Sequence, residues 1–499
     1  MSMGSIWLGV VWVLQTITSK VREEKFSDRI SLFCVSKNAV LITFVYLLPL
    51  IGLLWTEDTK HGIWDLRMKL PILFLPFVLL TLNKLNQHIY RLLMGVFLVS
   101  LIFAVTFCLF IYWQIIPKQY QDVREISVFI SHIRFSLLLI VGLIICFYFA
   151  WKEKMGKILC VLLSIYFISF LILISSITGL IAFIVVLLWF LLYKLWCIQK
   201  VIFRIIALAL PVLGLVLLAI FMKSNYSAYS SAPIIDWTAL PKKTILGSDY
   251  NHHPQMPLVE DGQYVFIYLA EDEMKEAWKE SSLLNPDSLD SRGNVLSGTL
   301  IRYLSSKGLR KDWSGVMQLN SDDVKNIEAG IADSRDPQKN QLRKRMDNIL
   351  FELSVYHSNG NPSGHSVIQR LEFWRAGLGI LKQNLWFGVG TGDTKTAFKA
   401  EYEKMQSALS PKYRLRAHNQ YLTMFLTYGI IGGFYFLIVM LFPFFDKKRS
   451  TLTMTFAILS GLAMLSEDTL ESQAGVMFYV VFAVVLEMVS SPNSTQSIK

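Results

Sequence analysis

Apolar residues in this chain collect in long blocks separated by shorter polar stretches, not in the two-residue alternation of half-buried strands. Blocks such as "LLMGVFLVSLIFAVTFCLFIYW" and "IIALALPVLGLVLLAIFM" approach or reach the roughly 20 residues that carry a helix across a bilayer. Eleven such segments are predicted, at 4–19, 38–55, 70–82, 91–113, 134–150, 158–174, 179–197, 204–222, 420–445, 452–466 and 474–489. Between the eighth and the ninth the pattern changes to a long polar insertion. The chain therefore divides into N-terminal transmembrane helices (1–222), a large loop domain (223–418) and C-terminal transmembrane helices (419–499).

The insertion carries helical patterns of its own and no strand-rich stretch. "DEMKEAWKESSLL" and "SDDVKNIEAGIADS" read as amphipathic helices with acidic first turns. "SGHSVIQRLEFWRAGLGILKQ" is the clearest: Val367, Leu371, Trp374, Leu378 and Leu381 recur at three- and four-residue spacing. The glycines of "NLWFGVGTGD" then end that helix. Gly388 to Asp393 lacks the GK[ST] ending of a phosphate loop, and reads as a turn that returns the chain toward the membrane.

Charge fixes an expected orientation. The short loops "SKVREEKFSDR", "WKEKMGK", "KLWCIQKVIFR" and "DKKRS" are basic and fall on one side if the spans alternate, which makes that side cytoplasmic. The N-terminus, the loop "EDTLESQ" and the whole insertion then lie outside. Only 17% of the residues are charged, against about 25% in a soluble domain. The net charge of +11 sits largely in these loops, so it sets topology and does not indicate a nucleic-acid partner. Cys34, Cys108, Cys146, Cys160 and Cys197 lie in or beside apolar blocks with no CxxC pair, and read as small hydrophobes. The first apolar stretch lacks a basic leader and a clear cleavage site.

Candidate chemistry gathers at the outer helix ends. Arg414, Arg416, His418 and Asn419 stand at the mouth of the helix predicted from 420, where unpaired N–H groups and the positive dipole end attract phosphate. Arg134, preceded by His132, opens another span; Arg67 and Lys69 precede a third; Arg370 and Arg375 lie on the insertion's clearest helix. An arginine offers a planar fork suited to bidentate phosphate contact. Taken singly, each basic residue also fits interfacial anchoring. Glu467, Asp468 and Glu471 share one short outer loop, as ion-pair partners, a base, or solvated groups. His252 and His253 have no partner ligands at metal spacing, so no metal and no cofactor is predicted.

Residues 366–445 resemble the signature region of the O-antigen ligase and O-antigen polymerase family. The resemblance rests on Arg370, Trp374, "LWFGVGTGD", "AHNQYL" and "TYGIIGG", with a large outer loop near the C-terminal third. It implies an all-α polytopic membrane protein of about 11–12 transmembrane helices with a mainly helical periplasmic loop domain, GT-C-like in architecture. It also implies a metal-independent membrane glycosyltransferase in the bacterial inner membrane. Such an enzyme moves a glycan from undecaprenyl diphosphate to a lipid A–core sugar hydroxyl at the periplasmic face. A repeat-unit polymerase and a protein O-oligosaccharyltransferase are the alternatives within the family. The family's essential arginine and histidine map onto Arg370 and His418; Arg134, Arg416, Arg375 and Asn419 are the candidate diphosphate ligands. Two features depart from the pattern. Ile177 stands in "SSITG" where the family often carries an arginine, so that either a phosphate contact is missing or Arg134 replaces it from a neighbouring helix mouth. Relatives usually have about twelve helices beginning inside, against eleven counted, so that either the first is absent or the chain is truncated at its start. Outside this family, a transporter of anionic lipid is the competing class. No inverted repeat, mid-span charge or Gly/Pro-broken helix pair supports it.

Overall fold

The computed structural model describes residues 26–81, 87–120, 122–153, 156–198, 200–231, 234–255, 258–339, 341–445 and 451–490. The segment expected at 4–19 lies outside them. The protein is a mainly helical, multi-pass membrane protein. Among the described residues, six helices are long and apolar enough to cross a membrane: Lys37–Trp55, Arg91–Tyr112, His132–Trp151, Ile177–Trp196, Val201–Ser227 and Gln420–Phe445. Three shorter apolar helices, Lys157–Leu173, Thr451–Ser466 and Gln473–Met488, fall on predicted segments too. The segment at 70–82 is the second half of a longer helix, Thr59–Thr81, whose first half carries Asp65 and Lys69.

The chain folds as two compact units. The first comprises residues 1–118, 123–194 and 369–499; the second comprises 195–368 with 119–122. In the first unit, Thr59–Thr81 packs along Gln473–Ser490 and Gln420–Phe445 packs along Thr451–Ser466. Leu75, Phe436, Leu459, Val480 and Leu486 are among the fully buried residues here. The second unit has its own soluble-type core, built on Met274, Trp278, Leu300, Tyr303, Leu304 and Ile327. Its helices start where the sequence supplies caps: Asn320 and Asp323 form a reciprocal capping box at Ser321–Glu328. A small hairpin pairs Val259–Glu260 with Gln263–Tyr264.

One membrane helix is broken. Within Gln420–Phe445, Gly429 has φ 68° and ψ −171°, which ends the regular hydrogen-bond ladder there. The groups freed by the break are taken up by the glycine-rich loop. Val389 N–H donates to Leu426 O (2.9 Å), Gly390 N–H donates to Thr427 O (3.0 Å), and Ile430 N–H donates to Leu385 O (2.9 Å). Irregular backbone beside an apolar helix needs such internal partners, since lipid offers none. A Cβ on Gly388 would lie 2.3 Å from the Thr427 carbonyl, and one on Gly429 would lie 2.0 Å from Trp386 O. The loop predicted as a turn is thus a backbone graft into a broken helix. Asp393 at its end accepts N–H bonds from Glu57 and Asp58, both 2.8 Å, and so ties it to the start of Thr59–Thr81.

Ser366–Gln383 is a helix as the periodicity predicts, but its buried face differs from the predicted stripe. Ile368, Phe373, Ala376 and Ile380 are buried, whereas Leu371 and Leu378 are about half exposed. The helix is apolar on two faces, and spacing alone does not rank them. The packing is decided by Gly377, where a Cβ would meet Leu422 at 2.7 Å. The bare backbone there lets the membrane helix approach.

Candidate functional site

The site is built around the connection Glu467–Glu471, which joins Thr451–Ser466 to Gln473–Ser490. Its three carboxylates point at three different sets of partners. Asp468 is buried and serves as a cap supplied from outside the helix it caps. One oxygen accepts the His418 N–H (3.1 Å); the other accepts the Asn419 N–H (3.0 Å) and the Thr423 hydroxyl (2.7 Å). Asn419 adds its own side-chain oxygen, which accepts from Leu422 N–H at 3.0 Å. At the mouth of Gln420–Phe445 the N–H groups of His418, Asn419 and Leu422 are therefore taken up by side chains. These contacts hold His418 at φ 47°, an uncommon backbone conformation for a residue with a Cβ.

Glu471 anchors a buried ion network. Its carboxylate lies 2.8 Å from Lys69 Nζ and 3.3 Å from an Arg416 nitrogen, and it accepts from Gln420 Nε2 at 3.3 Å. Lys69 also pairs with Asp65 at 2.8 Å. The Lys69 side chain is 3% exposed and that of Glu471 7%. Burial opposes charge on Glu471, but Lys69 and Arg416 outweigh it and hold the carboxyl below its usual range. Two cations and two anions balance here. Lys69, which read as a possible interfacial anchor, is instead a buried structural counter-ion.

Glu467 faces the candidate catalytic pair. One carboxylate oxygen is 3.9 Å from an Arg370 nitrogen and the other is 4.0 Å from His418 Nδ1. The His418 ring leans on Phe373, with centroids 5.6 Å apart and planes at 34°. Glu467 also lines, with Arg134, an otherwise mainly apolar cavity of about 290 Å³ walled by Phe97, Leu137, Phe478 and Phe482. Arg134 makes no hydrogen bond or ion pair with any described residue.

The structure thus brings Arg370 and His418 to one carboxylate, which shares a cavity lining with Arg134. Arg416 is beside them in sequence but turned to Glu471, with its side chain 42% exposed. Arg375 is 72% exposed and 3.7 Å from Glu372, apart from the cluster's contacts. Asn419 spends its side-chain oxygen on the helix cap. Arg414 donates to Leu409 O (3.0 Å) and Ser407 O (3.4 Å), a local structural role. Sequence reasoning noticed Glu467, Asp468 and Glu471 but not their separate duties. The available signal was three carboxylates crowded into five residues between two apolar helices.

In the second unit, Asp333, Asp336 and Asp347 place carboxylate oxygens within 4.8 Å of one another. Lys339 Nζ lies 2.6 Å from both Asp333 and Asp347 and 3.6 Å from Asp336, so an ammonium already supplies the cation. His252 is bonded through both ring nitrogens, to Pro241 O (2.9 Å) and Tyr268 N–H (3.1 Å).

Residues 325–437 match the family model Wzy_C, described as O-antigen ligase. The matched stretch contains Arg370, Arg375, Arg416, His418 and Asn419 and the glycine-rich loop; Arg134 and the carboxylates of the 467–471 connection lie outside it. No curated protein matches the chain.

Proposed function

We propose, from the match of residues 325–437 to the O-antigen ligase family model, that this protein is an O-antigen ligase. It transfers a glycan from undecaprenyl diphosphate to a lipid A–core hydroxyl at the periplasmic face of the inner membrane, without a metal. The observation that carries this reading is that Glu467, which faces both Arg370 and His418, lines an apolar cavity together with Arg134. A prenyl diphosphate needs both: apolar walls for the lipid, and cations for the charge that develops on the leaving group.

Arg134 also suits the role left open by Ile177. Ser136, on the same helix as Arg134, lies within contact distance of Gly179, two residues after Ile177. An arginine lost from one helix mouth is therefore replaced at the adjoining one. Arg370 and Arg134 bind the diphosphate, and His418 takes the acceptor's proton or holds a further phosphate oxygen. The helix end at Gln420 contributes its dipole, while Asp468 fixes the backbone that presents the histidine.

The orientation follows from the basic loops. Alkaline phosphatase fused near Asn285 is expected to be active and fused after Arg449 inactive; the reverse would overturn the compartment. Gene deletion separates the activities. Full-length glycan left on its carrier lipid means a ligase, single repeat units left there mean a polymerase, and unchanged lipid-linked glycans reject both.

A further inference from the structure

Glu467 is out of place in a site that receives a diphosphate. A carboxylate lining that cavity repels the donor, yet the fold aims it at both candidate catalytic side chains. Its two oxygens stand at 3.9 Å and 4.0 Å from Arg370 and His418, near enough for charge attraction and too far for a hydrogen bond to either. By contrast, Asp468 and Glu471 on the same connection hold their partners at hydrogen-bonding distance. Glu467 is thus shared and uncommitted.

We propose that Glu467 is a positioning residue that couples donor binding to activation of His418. The proposal rests on the transferase reading above. Without donor, Glu467 is the anion between Arg370 and His418. The donor's diphosphate then takes over as the anion for Arg370 and Arg134. Released from Arg370, the carboxylate accepts the Nδ1–H of His418, which leaves the Nε2 lone pair directed at substrate. Catalytic hydrogen bonds that are long before substrate binds commonly close afterwards.

In the transfer step the acceptor oxygen forms a bond to the anomeric carbon as its proton passes to His418 Nε2. The bond from that carbon to the diphosphate oxygen breaks, and its electron pair leaves on the diphosphate. Glu467 carries the charge that balances the imidazolium, as the acidic member does in other histidine-based catalytic sets. Among the described residues, few charged groups face His418. They are Glu467 at its ring, Asp468 at its backbone, Arg370 across Glu467, and Arg416 two residues away, turned to Glu471.

The test uses the full chain in lipid nanodiscs with purified undecaprenyl-diphosphate-linked glycan and lipid A–core. Glu467→Gln and Glu467→Ala are compared with wild type for donor affinity, turnover and the pH dependence of turnover. Either variant is expected to bind donor as tightly as wild type or more tightly, since a like charge is gone. Turnover is expected to fall about ten- to a hundredfold, within the range for general-base catalysis. The acid limb of the rate profile moves to lower pH, because the imidazolium has lost the carboxylate that stabilises it. Glu467→Asp, which keeps the charge, recovers part of the rate and keeps the wild-type limb. Turnover of the Gln and Ala variants within threefold of wild type overturns the proposal, as does a slowed enzyme whose acid limb stays in place. Donor affinity that falls in step with rate overturns it as well. A wild-type protein that neither binds nor uses the donor removes the transferase reading itself, and this inference with it.

Discussion

Glu467 and Glu471 flank one short turn, and they are held in opposite ways. Glu471 is sealed among Lys69, Arg416 and Gln420, with a side chain 7% exposed and its nearest partner at 2.8 Å. Glu467 is more open, at 20%, and its partners stand near 4 Å. A buried ion network with short contacts resists rearrangement, because breaking it strands a charge away from water. A looser carboxylate beside an apolar cavity can change partners at small cost. The same connection therefore joins a structural foot to a more loosely held carboxylate, with Asp468 between them fixing the histidine's backbone.

The comparison is broken most forcefully by Lys69→Met. It leaves Asp65 and Glu471 sharing only Arg416, and the expected loss is about 3–5 kcal/mol of stability. Thermal unfolding in detergent or nanodiscs reads it, and a melting temperature equal to wild type would mean that the network carries no stability. Next in size are Arg370→Ala and Arg134→Ala. Each removes charge-assisted contacts worth roughly 1.5–3 kcal/mol, so transfer rates should fall about ten- to a hundredfold. Lysine at either position should rescue only in part, since it keeps charge and loses the fork. Near-normal initial rates in both alanine variants would return these arginines to interfacial anchoring.

Acid separates the two glutamates more gently. The folded carboxyl of Glu471 lies below its ordinary value, so protons favour the unfolded chain. Its stabilisation is complete above the unfolded value and is lost as pH falls through the folded one. Melting temperature measured from neutral pH into acid should decline less steeply in Glu471→Gln than in wild type. Glu467→Gln should change stability by no more than about 0.5 kcal/mol, the range of substitutions that break no buried network. The smallest expected effect is that of chelation. Excess EDTA should leave the transfer rate unchanged, and a loss restored by one specific metal would show a missed site.

Much of this was legible from the chain. Apolar blocks long enough to span a bilayer dictate membrane helices, because a backbone in lipid must bond within its own segment. Arg370 on an amphipathic helix and His418 at a helix mouth are local features, and the sequence places them without knowledge of the fold. The family match covers these same residues.

Long-range pairing was not legible. Periodicity predicted an apolar face through Leu371 and Leu378, yet Ile368, Phe373, Ala376 and Ile380 are the buried set. The choice was made by Gly377 against Leu422, a contact that no local pattern encodes. The break at Gly429 is visible only when the loop from Leu385 to Gly390 is seen satisfying its freed backbone groups. Lys69 could be told from an anchor only once Glu471, 402 positions away, was found on its ammonium. Spacing along the chain reports which residues share a helix face. Which face is buried, which charge is neutralised and which carboxylate stays uncommitted depend on what other helices bring alongside, and only tertiary packing decides that.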